Sequence, residues 1–120
     1  MKPLAGIEHR AEPRYRHLLH IRVGSLELTT ANVSLHGMQL VCPVMPFRRI
    51  EPDVSGGQLA AQVTLPRGAP FDAALSVRYC SPHRDEVLIG VRMNLTDPGA
   101  QAQWAAYIDD RSKVGGINDG

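Results

Sequence analysis

Three stretches of this chain place an apolar residue at every second position, and that rhythm limits the fold more than any other feature. Leu59, Ala61, Val63 and Leu65 form the first, Phe71, Ala73, Leu75, Val77 and Tyr79 the second, and Val87, Ile89, Val91 and Met93 the third. A period of two sends alternate side chains to opposite faces, so each stretch predicts a strand with one face in the core and one in water. Pro66-Arg67-Gly68 and Ser81-Pro82-His83-Arg84 supply the breaks between them. Upstream, His17 to Val23 and Leu26 to Ser34 read as two strands joined at Gly24-Ser25, a two-residue hairpin turn. Leu35-His36-Gly37 interrupts the pattern, and Met38 to Cys42 resumes it. Pro43 to Gly57, with three prolines and two glycines, predicts a loop.

Asp97-Pro98 marks a helix start, a capping side chain followed by proline where no amide donor is needed. Trp104, Tyr107 and Ile108 then fall at helical spacing and can seal one side or end of the sheet. The expected fold is all-β in the main, about six antiparallel strands with a C-terminal α-helix. A small closed barrel is the natural arrangement, because closure removes exposed strand edges.

With 120 residues, 43% of them hydrophobic, the chain has one domain's worth of core. Residues 1–16, with Pro3 and Pro13, are expected as a flexible N-terminal arm, residues 17–112 as the barrel with its helix, and the Gly-rich residues 113–120 as a disordered tail. The net charge of +1 argues against a DNA or RNA binder, yet residues 1–50 carry +4 and the remainder −3. A basic N-terminal half suits a small anion that has few phosphates to neutralise. Cys42 and Cys80 are far apart in sequence and are expected as reduced core thiols. No secretory signal and no stretch of about 18 apolar residues is present, so no membrane insertion is expected and the default compartment is the cytoplasm.

Two short patterns carry the chemistry. One is Arg10-Ala-Glu-Pro-Arg14 on the arm; the other is Asn32-Val-Ser34-Leu-His-Gly37 between the second and third strands. The second pattern arises by chance at about one starting position in two thousand, so its presence close behind paired arginines carries weight. Together they resemble the PilZ family, whose motifs are Arg-x-x-x-Arg and [Asp/Asn]-x-Ser-x-x-Gly. Gly90-Val-Arg-Met93 is similar to the last strand of such domains. The resemblance implies a six-stranded antiparallel barrel that binds cyclic di-GMP, a bacterial second messenger, with Arg10, Arg14, Asn32, Ser34 and Gly37 as ligand residues. It further implies an unidentified downstream effector protein and outputs such as motility, pilus function, exopolysaccharide production or biofilm formation. Many members carry arginine just before the first motif arginine, a place held here by His9; with His9 or Arg16 as secondary contacts, the number of ligands bound stays open.

The residue chemistry agrees. A guanidinium forks onto phosphate oxygens or onto guanine O6 and N7, and also stacks on the base. Guanine's other edge offers N–H donors that Asn32 and Ser34 oxygens can accept, and Gly37 permits a tight, left-handed turn with close backbone approach. The plainer readings are a solvated basic arm and ordinary turn chemistry. His17 and His20 are expected on opposite strand faces, His36 and His83 lack ligating neighbours, and no nucleophile motif is present. Neither a metal, nor a cofactor beyond the ligand, nor catalysis is expected. The alternative function is an interaction adaptor on the same fold that binds no nucleotide.

Overall fold

The computed structural model describes residues 12–113. The elements, in chain order, are β1 (Arg14–Tyr15), β2 (His20–Val23), β3 (Leu26–Ser34), β4 (Gly37–Pro43), α1 (Val44–Gly56), β5 (Gln58–Thr64), β6 (Phe71–His83), β7 (Glu86–Asn94) and α2 (Pro98–Lys113). Strands β2, β5, β6, β7, β4 and β3 are hydrogen-bonded in that spatial order, all antiparallel, and β3 returns to β2. This is a closed six-stranded barrel with one extra short strand and a C-terminal helix, as the alternation implied. Its interior is aliphatic: Ile21, Leu28, Met38, Leu40, Leu75 and Ile89 are fully enclosed. Each contributes about 1.5–3 kcal/mol relative to exposure.

Turn chemistry sets the first hairpin. Gly24, at φ 62°, takes the first central position of the β2–β3 turn, where a side chain would be strained. Strand β2 starts at His20, three residues later than expected. The chain from β1 to β2 runs along one edge of β3 with a one-residue slip, Arg14 opposite Ser34 but His20 opposite Thr29. Buried Thr30 bridges the break: its hydroxyl donates to the His17 carbonyl (2.6 Å) and accepts from the Leu19 amide (2.8 Å).

Two single-residue bulges decide which residues face out. In β3 the pairing with β4 slips between Thr30 and Asn32, leaving Ala31 as the extra residue. In β6 the pairing with β7 slips between Val77 and Tyr79, leaving Arg78 as the extra one. One added residue inverts the alternation beyond it. Asn32 therefore points out, although an unbroken count from inward Thr30 would send it in. Tyr79, which the unbroken alternation from Phe71 would bury, is instead 49% exposed.

The stretch expected as a loop over Pro43 to Gly57 is in fact helix α1. Its prolines sit where a helix tolerates them. Pro43 is the N-cap and Pro46 lies in the first turn, so only Pro52 removes an interior donor. Ile50 and Val54 are buried, with Val44 and Phe47 packed against the same core, a helical stripe that recovers the lost hydrogen bond through burial. Gly57, at φ 85°, ends the helix, its amide donating to the Asp53 and Val54 carbonyls. Strand β6 also runs through Ser81-Pro82-His83, expected as a loop, and β5 no longer flanks it there. Cys80 lies on that overhang and is exposed, unlike buried Cys42; both thiols are free.

Helix α2 begins as expected, with Asp97 Oδ2 accepting from the Ala100 amide at 2.9 Å. Ala100, Trp104, Tyr107 and Ile108 are its buried side chains. Trp104 donates its indole N–H to the Ser34 and Leu35 carbonyls at 3.2 and 2.8 Å, tying the helix to the β3–β4 corner. Tyr107 meets His17 through its hydroxyl, and the Arg111 guanidinium lies 5.7 Å above the Tyr107 ring. None of the described helices is long and apolar enough to cross a membrane.

Burial, reinforced by Arg111, holds the His17 imidazole below its usual 6.5. Burial likewise pushes the Tyr107 phenol up to about 12, against an opposing pull from Arg111. Both groups are therefore neutral near pH 7. An imidazole depressed in the folded state stabilises it fully above pH 6.5, and that contribution fades as pH falls from 6.5 through the folded-state value. Denaturant midpoints of the wild type should fall between pH 7.5 and 5, and His17→Gln should flatten that dependence. Parallel curves for the two proteins would show that His17 does not carry it.

Candidate functional site

The two bulges place a polar row across the outside of the barrel. Asn32 on β3 stands opposite Gln39 on β4, Gln39 opposite Gly90 on β7, and Gly90 opposite Tyr79 on β6. Arg14 on β1 joins the row at one end: its Nε–H donates to Asn32 Oδ1 at 2.8 Å. Asn32 then donates from Nδ2 to Gln39 Oε1 (3.2 Å), and Gln39 donates from Nε2 to the Tyr79 hydroxyl (2.8 Å). The row is a continuous hydrogen-bonded chain over four strands and the short β1.

A groove of about 400 Å³ lies along this row, lined by Glu12, Arg14, Ser34, His36, Gly37, Arg78, Tyr79, Gly90 and Arg92 among others. Three arginines face it against one carboxylate, and that carboxylate, Glu12, is paired with His36. A larger depression of about 920 Å³ lies over Arg22, Ala60, Gln62, Asp72, Asn94 and Asp97. There a single arginine meets two aspartates and no motif residue is present, so an anionic ligand is favoured at the first groove over this one.

The structure gathers Arg14, Asn32, Ser34 and Gly37 at one corner. Arg10 and His9 lie outside the described residues, and Arg16 is exposed on the chain between β1 and β2. Two of the expected roles take a different form. Ser34 is completely buried, and its hydroxyl donates to the Gly37 carbonyl at 3.2 Å, closing the corner. Gly37 does not adopt a left-handed conformation, since its φ is not positive. It is needed for close approach instead, because a Cβ there would stand 2.6 Å from the Val91 carbonyl oxygen across the β4–β7 ladder.

Sequence reasoning missed Gln39, Arg78 and Arg92 and assigned Tyr79 to the interior. Gly90 and Arg92 are legible in the Gly90–Met93 stretch, but nothing in a period-two pattern announces an inserted residue. Gly90 proves to be a seat: a side chain there would overlap the Tyr79 ring.

Gly37→Ala drives a methyl into a backbone oxygen that the ladder holds fixed. It should destabilise the domain by about 1–3 kcal/mol, read as a lower urea midpoint. An unchanged midpoint would mean that the corner yields and the glycine is not required by packing.

A family model described as the PilZ domain matches residues 8–110. No curated protein matches in sequence. Among solved structures, the chain is similar to the Bacillus subtilis inhibitor of motility, MotI/DgrA, with a TM-score of 0.66 and 15% identity. The alignment covers 96% of this chain and 55% of that one, so this chain spans little more than half the length of its structural neighbour. At that identity the likeness concerns the fold. The family match takes in the β1 arginine, the Asn32–Gly37 corner, the whole barrel and most of α2, and on it this chain belongs to the PilZ domain family.

Proposed function

We propose that this protein is a receptor for cyclic di-GMP that performs no catalysis and passes the binding signal to a downstream protein. The observation that carries this reading is the meeting of Arg14 with Asn32, at 2.8 Å, on the rim of an arginine-rich groove that Gly37 also lines. Arg14 and Arg10 engage the ligand's phosphates and the O6/N7 edges of guanine. Asn32 offers Oδ1 to the N–H donors of guanine's other edge, and Gly37 leaves the backbone open to the ligand. Ser34 shapes that corner from beneath through its bond to the Gly37 carbonyl.

Before binding, Arg14 and Asn32 satisfy each other. Ligand entry exchanges that one charge-assisted bond for bonds to phosphate and base, so the ligand must supply more than one contact to win. The contacts of Asn32 and Gly37 are then altered at a corner whose other side is bolted to α2 by Trp104. That is a route by which an effector could read occupancy. Motility, pilus function, exopolysaccharide production and biofilm formation are the outputs the family offers, and the structural neighbour is an inhibitor of motility.

The same mutual satisfaction of Arg14 and Asn32 also fits an adaptor that never meets a nucleotide. Titration calorimetry separates the two. Cyclic di-GMP should bind with low-micromolar or tighter affinity, cyclic di-AMP should not, and an Arg10→Ala, Arg14→Ala double variant should lose at least about tenfold. Absence of heat at high cyclic di-GMP concentration would favour the adaptor.

A further inference from the structure

The face of α2 that turns toward the β5–β6 turn has no part in the arginine-rich groove. Gln103, Tyr107 and Arg111 follow one another at intervals of four, with Ala106 and Asp110 beside them, so they share one side of the helix. Leu65, Pro66, Arg67 and Gly68 stand opposite, and the cleft between turn and helix holds about 430 Å³. That size, with an apolar lining of Leu65, Pro66 and Tyr107, is typical of a binding cleft.

Two polar atoms of this lining are enclosed and unpaired among the described residues, Gln103 Oε1 and Arg111 Nε. Both side chains have a structural use. The Arg111 guanidinium lies 5.7 Å above the Tyr107 ring, an attractive place for a cation. Gly68, at φ 93°, lets the turn close on the helix, since a Cβ there would overlap Gln103 Oε1. These contacts still leave the Nε–H without an acceptor and the Gln103 amide against bare backbone. Native structures pair nearly all enclosed polar groups, so two left over in one cleft call for an explanation. The cleft also sets Arg67 and Arg111 against the single carboxylate of Asp110, and no ion pair joins them among the described residues.

We propose that this cleft receives an extended acidic segment of a partner protein, laid along α2 with an apolar side chain against Leu65, Pro66 and Tyr107. A carboxylate of the segment accepts from Arg111, with Arg67 beside it, and a backbone peptide group pairs with Gln103. A peptide group carries both a donor and an acceptor, so it matches that amide in either orientation. Gln103 and Arg111 are eight residues apart, about 12 Å of helix rise, which an extended chain covers in about four residues. Charge decides the class of partner, because the surplus of arginine rewards an acidic segment and repels a basic one. The inference goes beyond the cyclic di-GMP reading and does not depend on it.

The test is selection of random peptides displayed on phage against the immobilised full chain, with Arg111→Met as the counter-target. Synthetic copies of the selected peptides are then titrated by calorimetry, with urea midpoints measured for each variant. Peptides enriched on the wild type should carry an Asp or Glu close to an apolar residue. Their affinity should fall by about tenfold or more in Arg111→Met. It should fall by about fivefold or more in Arg67→Glu, an exposed change that leaves the Tyr107 contact intact. Amide shifts on binding should centre on Gly68 and Gln103, and Arg14→Ala should bind the peptides as the wild type does. No enrichment over Arg111→Met, or enriched peptides without a carboxylate, overturns the proposal, and so do shifts centred elsewhere. Where Arg111→Met lowers the urea midpoint, Arg67→Glu decides, and binding that it leaves unchanged overturns the site. A wild type that takes the peptides but not cyclic di-GMP would sink the nucleotide reading alone.

Discussion

Every feature of the groove depends on how an alternating chain is made to close on itself. Strand β3 serves β2 with its first half and β4 with its second, and the extra residue Ala31 falls where the second partnership is under way. Closure demands a bend and added twist at such a point, and a bulge supplies both. The same inserted residue inverts the phase of the strand beyond it, so that Asn32 emerges beside Arg14. The matching insertion at Arg78 brings out Tyr79 on the far side of β7. The closure of the barrel and the make-up of its groove are therefore set by the same two residues.

This explains which parts of the molecule can be seen in the chain and which cannot. The inward set of β5 and β7 is open to inspection, because an unbroken period of two needs no tertiary information. The corner at Asn32–Gly37 is legible for a different reason: its residue types are rare together and their spacing is short. What escapes is whatever depends on an interruption of phase. Tyr79 belongs to the apolar series of β6 by count and to the surface by geometry, and only the pairing with β7 decides between them. Helix α1 escapes for a related reason. Three prolines suggest a coil until their positions are known, and the helix is held by Ile50 and Val54 against the barrel rather than by propensity.

The charges of the groove are partly paired within it. Arg14 rests on a neutral amide rather than a carboxylate, a weaker partner. Glu12, set between the positions of the two motif arginines, is engaged by His36 of the corner. The His36–Glu12 pair is exposed enough for water and salt to weaken it, whereas the Arg14–Asn32 bond is partly buried.

The indole of Trp104 spans two carbonyls of one tight bend from the opposite side of the wall. It is the sole tryptophan of the sequence. Rotating either peptide plane breaks a bond to a ring anchored in a packed helix. The bend therefore shifts only by breaking one of these bonds or carrying the ring with it. The chain's fluorophore is thus bonded directly to the corner that carries the Asn32–Gly37 motif.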